Sequence, residues 1–331
     1  MVKNFLSAAK WKWGVMCLCL VVCAAPSRAV AQDDDDEDQP QVVRPTGVHK
    51  HHVSHTAKTH AKKARAHEEA EEAAPAVPPI PTQPSDPSRV PNTRAVSALV
   101  IDARTGQVLT EKNADQPRAA ASTQKLLTAL IVAETGYLDR IVTVQPEDTF
   151  AEPVKLNIRP GETYTRIDLL RALLVKSAND VARCLARDNA GSVEAFAEKM
   201  NAKAQELGAT HSHFVNPNGL PIPDQYTTAR DLSVIARAAY ANPTIRSIVC
   251  LPELVFRYSN GRTRELENTN KVLRRLPFCN GMKTGYTEAA GHCLIASGSR
   301  PGRDVIVVVL GDTKASVWSD AASLLSWGLW L

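Results

Sequence analysis

The spacing of apolar positions changes twice along this chain. Ala98-Leu99-Val100-Ile101-Asp102 is a short apolar run that predicts a strand, Arg104-Thr105-Gly106-Gln107 is a turn, and residues 108–111 return as a second strand, so the folded part opens with a hairpin. The period then becomes helical. Residues 122–134 are almost wholly apolar, which predicts a buried helix. Helices follow over 166–175, with Thr165 as cap, over 181–187, over 192–207, and over 229–240, with Thr228 as cap. In the third of these Val193, Phe196 and Met200 share a face, and Gly208 ends the helix. Strand patterns return at 255–258, 281–286, 293–297 and 305–310. The last stretch, 317–331, puts Val317, Ala321, Leu324, Leu325 and Gly328 on one helical face. This order predicts an α+β fold. Strands from both ends of the chain complete one antiparallel sheet, flanked by helices, around an all-helical insertion.

Upstream of this region no core can form. Asp33 to Asp38 is an unbroken acidic run, 49–67 is rich in His, Lys and Ala, 68–72 is acidic again, and 75–91 is proline-rich and stiff. Six of the nine histidines fall in this stretch, and they read as part of a solvated linker rather than a metal site. The first residues differ again. Lys3, Lys10 and Lys12 precede an apolar run over 13–25, and Ala29-Val30-Ala31 offers a cleavage site before Gln32. This is a secretory signal pattern, too short for a spanning helix. The expected organisation is a signal peptide at 1–31, a charged, His- and Pro-rich linker at 32–93, and one folded domain at 94–331.

Export bears on the cysteines. Cys17, Cys19 and Cys23 leave with the signal, and Cys184, Cys250, Cys279 and Cys293 remain as core thiols or as one or two disulfides. Their spacing is not a zinc pattern, so neither metal nor cofactor is expected. The net charge of +4 is mild, and no basic stripe interleaved with aromatics suggests nucleic acid.

Three short motifs carry candidate chemistry. In Ser122-Thr123-Gln124-Lys125 the serine and lysine stand three apart at a helix start, on one face, where the amine reaches the hydroxyl. A serine needs an adjacent base to become a nucleophile, and lysine serves only after losing its proton; bringing its pKa from about 10.4 to near 7 costs roughly 4–5 kcal/mol, which burial and a neighbouring cation supply. Alone the pattern is weak, since Ser7-Ala8-Ala9-Lys10 matches it inside the signal. In Ser177-Ala178-Asn179, between two helices, a hydroxyl and an amide can relay a proton and hold a substrate amide. In Lys283-Thr284-Gly285, on a strand, the first two residues can bind a carboxylate and the glycine admits a substrate backbone. The order of the three is the pattern of penicillin-binding proteins and class A β-lactamases.

From about residue 94 to 331 the chain resembles the low-molecular-mass penicillin-binding proteins of the D-alanyl-D-alanine carboxypeptidase family. Two longer stretches add to the motifs: Phe214-Val215-Asn216-Pro217-Asn218-Gly219-Leu220 followed by Tyr226-Thr227-Thr228-Ala229-Arg230-Asp231, and Gly281-Met282-Lys283-Thr284-Gly285-Tyr286-Thr287 with Ala289-Ala290-Gly291. The resemblance implies a β-lactamase/transpeptidase-like fold and a periplasmic or wall-associated enzyme acting on peptidoglycan stem peptides. Ser122 would attack the carbonyl of the penultimate D-Ala while Lys125 takes its proton. Ser177 would pass a proton to the leaving D-Ala, and Asn179 would help hold Lys125 and the substrate. Lys283 and Thr284 would bind the terminal carboxylate, with Gly285 beside the substrate backbone. The N–H groups of Ser122 and Tyr286 would form the oxyanion hole. β-Lactams would acylate the same serine.

Some carboxypeptidases of the family carry a basic residue near the end of the strand expected at 305–310; here Gly311-Asp312 stands there, with Lys314 nearby. The final residue, Leu331, follows the last helix directly, so no C-terminal membrane anchor is expected. Family members of this length include D,D-endopeptidases, which cut crosslinks, and that activity is the alternative to carboxypeptidase. A β-lactamase needs a carboxylate for its deacylating water, and no Glu-x-x-Leu-Asn segment follows Asn179. A non-catalytic wall-binding protein has no need of Lys125 beside Ser122.

Overall fold

The computed structural model describes residues 83–331; the expected signal peptide and most of the expected linker lie outside the described residues. Two clusters of buried side chains face opposite sides of one five-stranded sheet. Its strands are β1 (Ser97–Asp102), β2 (Val108–Lys112), β7 (Cys279–Thr287), β8 (Gly291–Arg300) and β9 (Arg303–Asp312), in the spatial order β2-β1-β9-β8-β7. Every neighbouring pair is antiparallel. The alternation of side chains sorts the sequence by face. Along β9, Val305, Val307 and Val309 join one cluster, while Ile306, Val308 and Leu310 join the other. Ala98 and Val100 of β1 go with the first set, Leu99 and Ile101 with the second. A strand apolar on both faces must be covered on both, and here it is.

One face is covered by the C-terminal helix, Val317–Trp330, through Val317, Ala321, Leu324 and Leu325. Gly328 allows the close approach: a Cβ there would stand 3.0 Å from methyl carbons of both Val100 and Val305. The opposite face is covered by the helical block inserted between β2 and β7. It comprises α1 (Lys125–Thr135), α2 (Arg166–Lys176), α3 (Asn179–Ala190), α4 (Val193–Leu207), α5 (Ala229–Ala241) and α6 (Pro243–Val249). Thr165 and Thr228 cap α2 and α5, accepting the N–H of Asp168 and Asp231 at 3.2 and 3.0 Å. Gly208 ends α4 with φ 89°.

The α+β order read from the sequence therefore holds, with differences. The buried stripe of α4 runs through Phe196, Ala197, Met200 and Ala204, and Val193 at its start is only half-buried. The strand expected at 255–258 is β5 (Glu253–Arg257), starting two residues earlier and paired with β6 (Thr263–Glu267); β6, α6 and the hairpin of β3 (Ile141–Thr143) with β4 (Thr163–Thr165) carried no clear apolar period because each is short or faces solvent on one side. The helix expected from residue 122 begins as a tighter 3-10 turn, Ala121–Gln124, in which the Thr123 hydroxyl donates to the Ala120 carbonyl at 2.6 Å. Among the described residues the four cysteines are free thiols; Cys184, Cys279 and Cys293 are buried and Cys250 is exposed.

Before β1, the carbonyl of Pro87 accepts a hydrogen bond from the Trp327 indole, and Asp320 accepts from the Thr93 hydroxyl and the Arg94 N–H. Among the described residues no helix is long and apolar enough to cross a membrane.

Candidate active site

The 3-10 turn places Ser122 against two glycines. A Cβ on Gly219 would lie 2.0 Å from the Ala121 carbonyl oxygen, and one on Gly285 would lie 2.7 Å from the Ser122 nitrogen. Gly219 has φ +83°, which glycine adopts without strain. The turn is thus wedged between β7 and the loop before α5, and Ala121 itself takes a positive φ of 48°.

One turn later Lys125 is fully buried. Its Nζ lies 2.7 Å from each of three oxygens: the Ser122 hydroxyl, the Asn179 side-chain Oδ1 and the Asn218 backbone carbonyl. Burial pushes its pKa well below the usual lysine value, the nearby charge of Lys283 adds to the fall, and Asp180 opposes it. Losing the proton suits this geometry. A neutral amine has two hydrogens and one lone pair. Asn179 Oδ1 and the Asn218 carbonyl accept only, so they take the two hydrogens and leave the lone pair for the Ser122 hydroxyl. Such an amine could take a proton from the Ser122 hydroxyl.

Both acceptors are held from behind. The Asn179 amide donates from Nδ2 to the Glu152 carbonyl at 3.0 Å, and its backbone N–H donates to the Val154 carbonyl at 2.8 Å. Asn218 belongs to a loop bound side chain to backbone. Asn216 Oδ1 accepts the Gly219 N–H, Gln225 Oε1 accepts the N–H groups of Val215 and Asn216, and Gln124, at the end of the 3-10 turn, and Thr128 of α1 donate to the Asn216 and Pro217 carbonyls.

β7 forms the other wall. Lys283 is fully buried, donates to the Thr284 carbonyl at 2.9 Å, and is pushed down to about 7 by burial. The Thr284 hydroxyl donates to that of Thr269 at 2.7 Å. Tyr286 projects outward, 57% exposed, with its ring stacked on His292 at 4.4 Å between centroids.

The structure therefore brings Ser122, Lys125 and Asn179 into one hydrogen-bonded set and lays Gly285 against Ser122. Ser177 ends α2 in the left-handed conformation, φ 67°, almost buried and two residues before Asn179, but outside that set. The Asn218 carbonyl, Asp180, Thr269 and Gln225 were not singled out as functional residues from the sequence. Only Asn218 lay within a stretch marked as family-like, and a backbone carbonyl has no signature of its own in a sequence.

A serine hydroxyl paired with a buried lysine, on a turn between an antiparallel sheet and a helical block, fits a serine hydrolase. The comparisons narrow this. A D-alanyl-D-alanine carboxypeptidase family model matches residues 82–314, and the chain belongs to that family of serine peptidases. It is 37% identical over 245 residues to D-alanyl-D-alanine carboxypeptidase DacB2 of Mycobacterium tuberculosis, covering 72% of this chain and 84% of that one. It is 34% identical over 237 residues to a D-alanyl-D-alanine endopeptidase of Pseudomonas aeruginosa, covering 70% and 76%. The crystal structure of a D-alanyl-D-alanine carboxypeptidase from M. tuberculosis superposes with a TM-score of 0.71 at 37% identity, over 75% of this chain and 96% of that one.

Proposed function

We propose that this enzyme removes the terminal D-Ala from peptidoglycan stem peptides through an acyl-enzyme at Ser122. The observation that carries the reading is the buried Lys125 amine, 2.7 Å from the Ser122 hydroxyl and hydrogen-bonded by two acceptor-only groups. Lys125 takes the hydroxyl proton as Ser122 Oγ bonds to the carbonyl carbon of the penultimate D-Ala. The N–H groups of Ser122 and Tyr286 stabilise the oxyanion. The peptide C–N bond breaks, Ser177 delivers a proton to the leaving amine, and D-Ala departs. Water then hydrolyses the ester. Asn179 holds Lys125 and the substrate, Lys283 and Thr284 bind the terminal carboxylate, and Gly285 gives the substrate backbone room. A β-lactam presents the same carbonyl and carboxylate and acylates the same serine.

The chain organisation follows from this reading: an exported enzyme, periplasmic or wall-associated, with a signal peptide at 1–31, a linker at 32–93 and the catalytic domain at 94–331. A chain beginning at Arg94 retains hydrolysis of small D-Ala-D-Ala peptides; loss of that activity in a folded protein moves the domain boundary upstream.

Crosslink cleavage is the second reading, favoured by the endopeptidase among the relatives. Digestion of purified peptidoglycan decides between them. Loss of one D-Ala from pentapeptides, seen by mass, is the carboxypeptidase outcome. Conversion of crosslinked dimers to monomers with pentapeptides left intact replaces that reading with the endopeptidase.

A further inference from the structure

We propose that Asp180 is a positioning residue for the base, holding the Asn179 amide with its oxygen towards Lys125. The inference rests on reading Lys125 as the base, and concerns what keeps that base in place. Asp180 follows Asn179 at the start of α3 and is only 1% exposed. Its two oxygens receive four backbone N–H groups. Oδ1 accepts from Leu156 at 2.9 Å and Val181 at 3.0 Å, and Oδ2 accepts from Asn157 at 2.7 Å and Ile158 at 3.3 Å. A carboxylate accepts only, so it suits four converging donors; an amide in its place would turn an N–H₂ towards backbone N–H groups.

The segment so bound is the one that orients Asn179. Residues 156–158 continue directly from Glu152 and Val154, whose carbonyls receive the Asn179 Nδ2 and backbone N–H. With Nδ2 committed to Glu152, the Asn179 amide can present only Oδ1 to Lys125. A rotated amide would offer Lys125 a donor, and the neutral amine would then spend its lone pair on Asn179 instead of on Ser122. Two charged groups act on the Lys125 amine, Lys283 from β7 and Asp180 from α3, with opposite signs. Asp180 therefore both shapes the site and moderates how readily Lys125 gives up its proton.

The test is Asp180→Asn, with folding followed by thermal melting and acylation by a fluorescent penicillin measured by stopped flow across pH. The rate constant for acylation is expected to fall about 100-fold at neutral pH, as for a misplaced base. The acid limb of its pH profile is expected to move to lower pH, because the removed negative charge favoured the protonated amine. A folded variant that acylates within threefold of the parent overturns the proposal. So does a slow variant whose acid limb is unmoved, since loss of a structural tie alone does not change the local charge. If Asp180→Asn does not fold, Asp180→Glu keeps the charge but shifts the carboxylate by one methylene. A lower rate with the limb in place then supports the proposal, and a parental rate overturns it. Acylation of the unaltered protein at Ser122 is the control; its failure removes the underlying mechanism and is distinguishable from both outcomes.

Discussion

The α-carbon of Gly285 faces the backbone nitrogen of Ser122 so closely that a Cβ on the glycine would stand 2.7 Å from that nitrogen. The same Cβ would meet the Thr123 nitrogen and the Ala121 Cβ at 3.0 Å. These are backbone atoms and the stub of a wedged turn, with no flexible side chain to give way. Gly285→Ala must therefore push β7 off the nucleophile. The expected cost in stability is about 1–3 kcal/mol, the usual range for overpacking. The expected loss in acylation rate is on the order of 100-fold, since a displacement near 1 Å at the reacting groups costs that much. Melting and penicillin acylation of one preparation check both; an unchanged acylation rate would show that the contact does not position Ser122.

The nucleophile is tested most directly by Ser122→Ala. Its side chain is only partly buried, with Oγ 2.7 Å from Lys125 Nζ and 3.3 Å from the Asn218 carbonyl oxygen, so the fold is expected to survive its removal. Covalent labelling by a fluorescent penicillin is expected to vanish while the melting temperature stays within a few degrees. A labelled band on a denaturing gel would show that another residue is acylated.

Lys283 is predicted to be held at a cost in stability. Its folded pKa of about 7 lies below the ordinary 10.5 of an unfolded lysine. Between these values the unfolded chain binds more protons than the folded one, so folding stability rises with pH from about 7 to 10.5. Below about 7 the full penalty applies, roughly 5 kcal/mol for a shift of this size. Lys283→Met, which fills similar space without a charge, is expected to melt higher than the parent at pH 6, with the gain shrinking towards pH 10. Removing that neighbouring cation should also let Lys125 keep its proton to higher pH, moving the acid limb of acylation upwards. Calorimetry at several pH values reads the first effect; a gain independent of pH would mean that Lys283 binds its proton equally in the folded and unfolded chains, with no depressed pKa.

The loop that supplies the Asn218 carbonyl depends on Gln225. Its Oε1 accepts from Val215 at 3.0 Å and Asn216 at 3.1 Å, and its Nε2 donates to the Leu220 carbonyl at 2.9 Å. Gln225→Ala leaves these partly buried groups without partners, for a loss of about 1–3 kcal/mol. Acylation is expected to fall as well, because the carbonyl that anchors Lys125 is no longer held. If stability drops and acylation does not, the Asn216 side chain alone suffices to keep the loop in place.

Much of this was legible from one sequence because it is local. The continuous apolar runs of β1 and β9 call for cover on both faces of the sheet, and the almost wholly apolar stretch of α1 calls for a buried helix. Thr165 and Thr228 cap helices through their own backbone neighbours, which depends on three residues and little else. The Ser122–Lys125 contact is likewise a consequence of a spacing of three in a helical turn. Of the hairpin β5–β6 only the second strand escaped, because Thr-Arg-Glu-Leu-Glu reads as a solvated face, and within it only Leu266 is buried.

What tertiary structure alone decided is the environment of Lys125. The acceptors of Lys125 come from Asn179, 54 residues on, and from the Asn218 carbonyl, 93 residues on, and the opposing cation comes from Lys283 on a strand closed over the turn by two glycines. The sequence by itself determined which side chains could do chemistry and that serine and lysine would meet. Whether the lysine would be dry, which oxygens would share its hydrogens, and how near the second cation would come depend on burial and on long-range packing. Those quantities belong to the folded surroundings of a group, and no local spacing contains them.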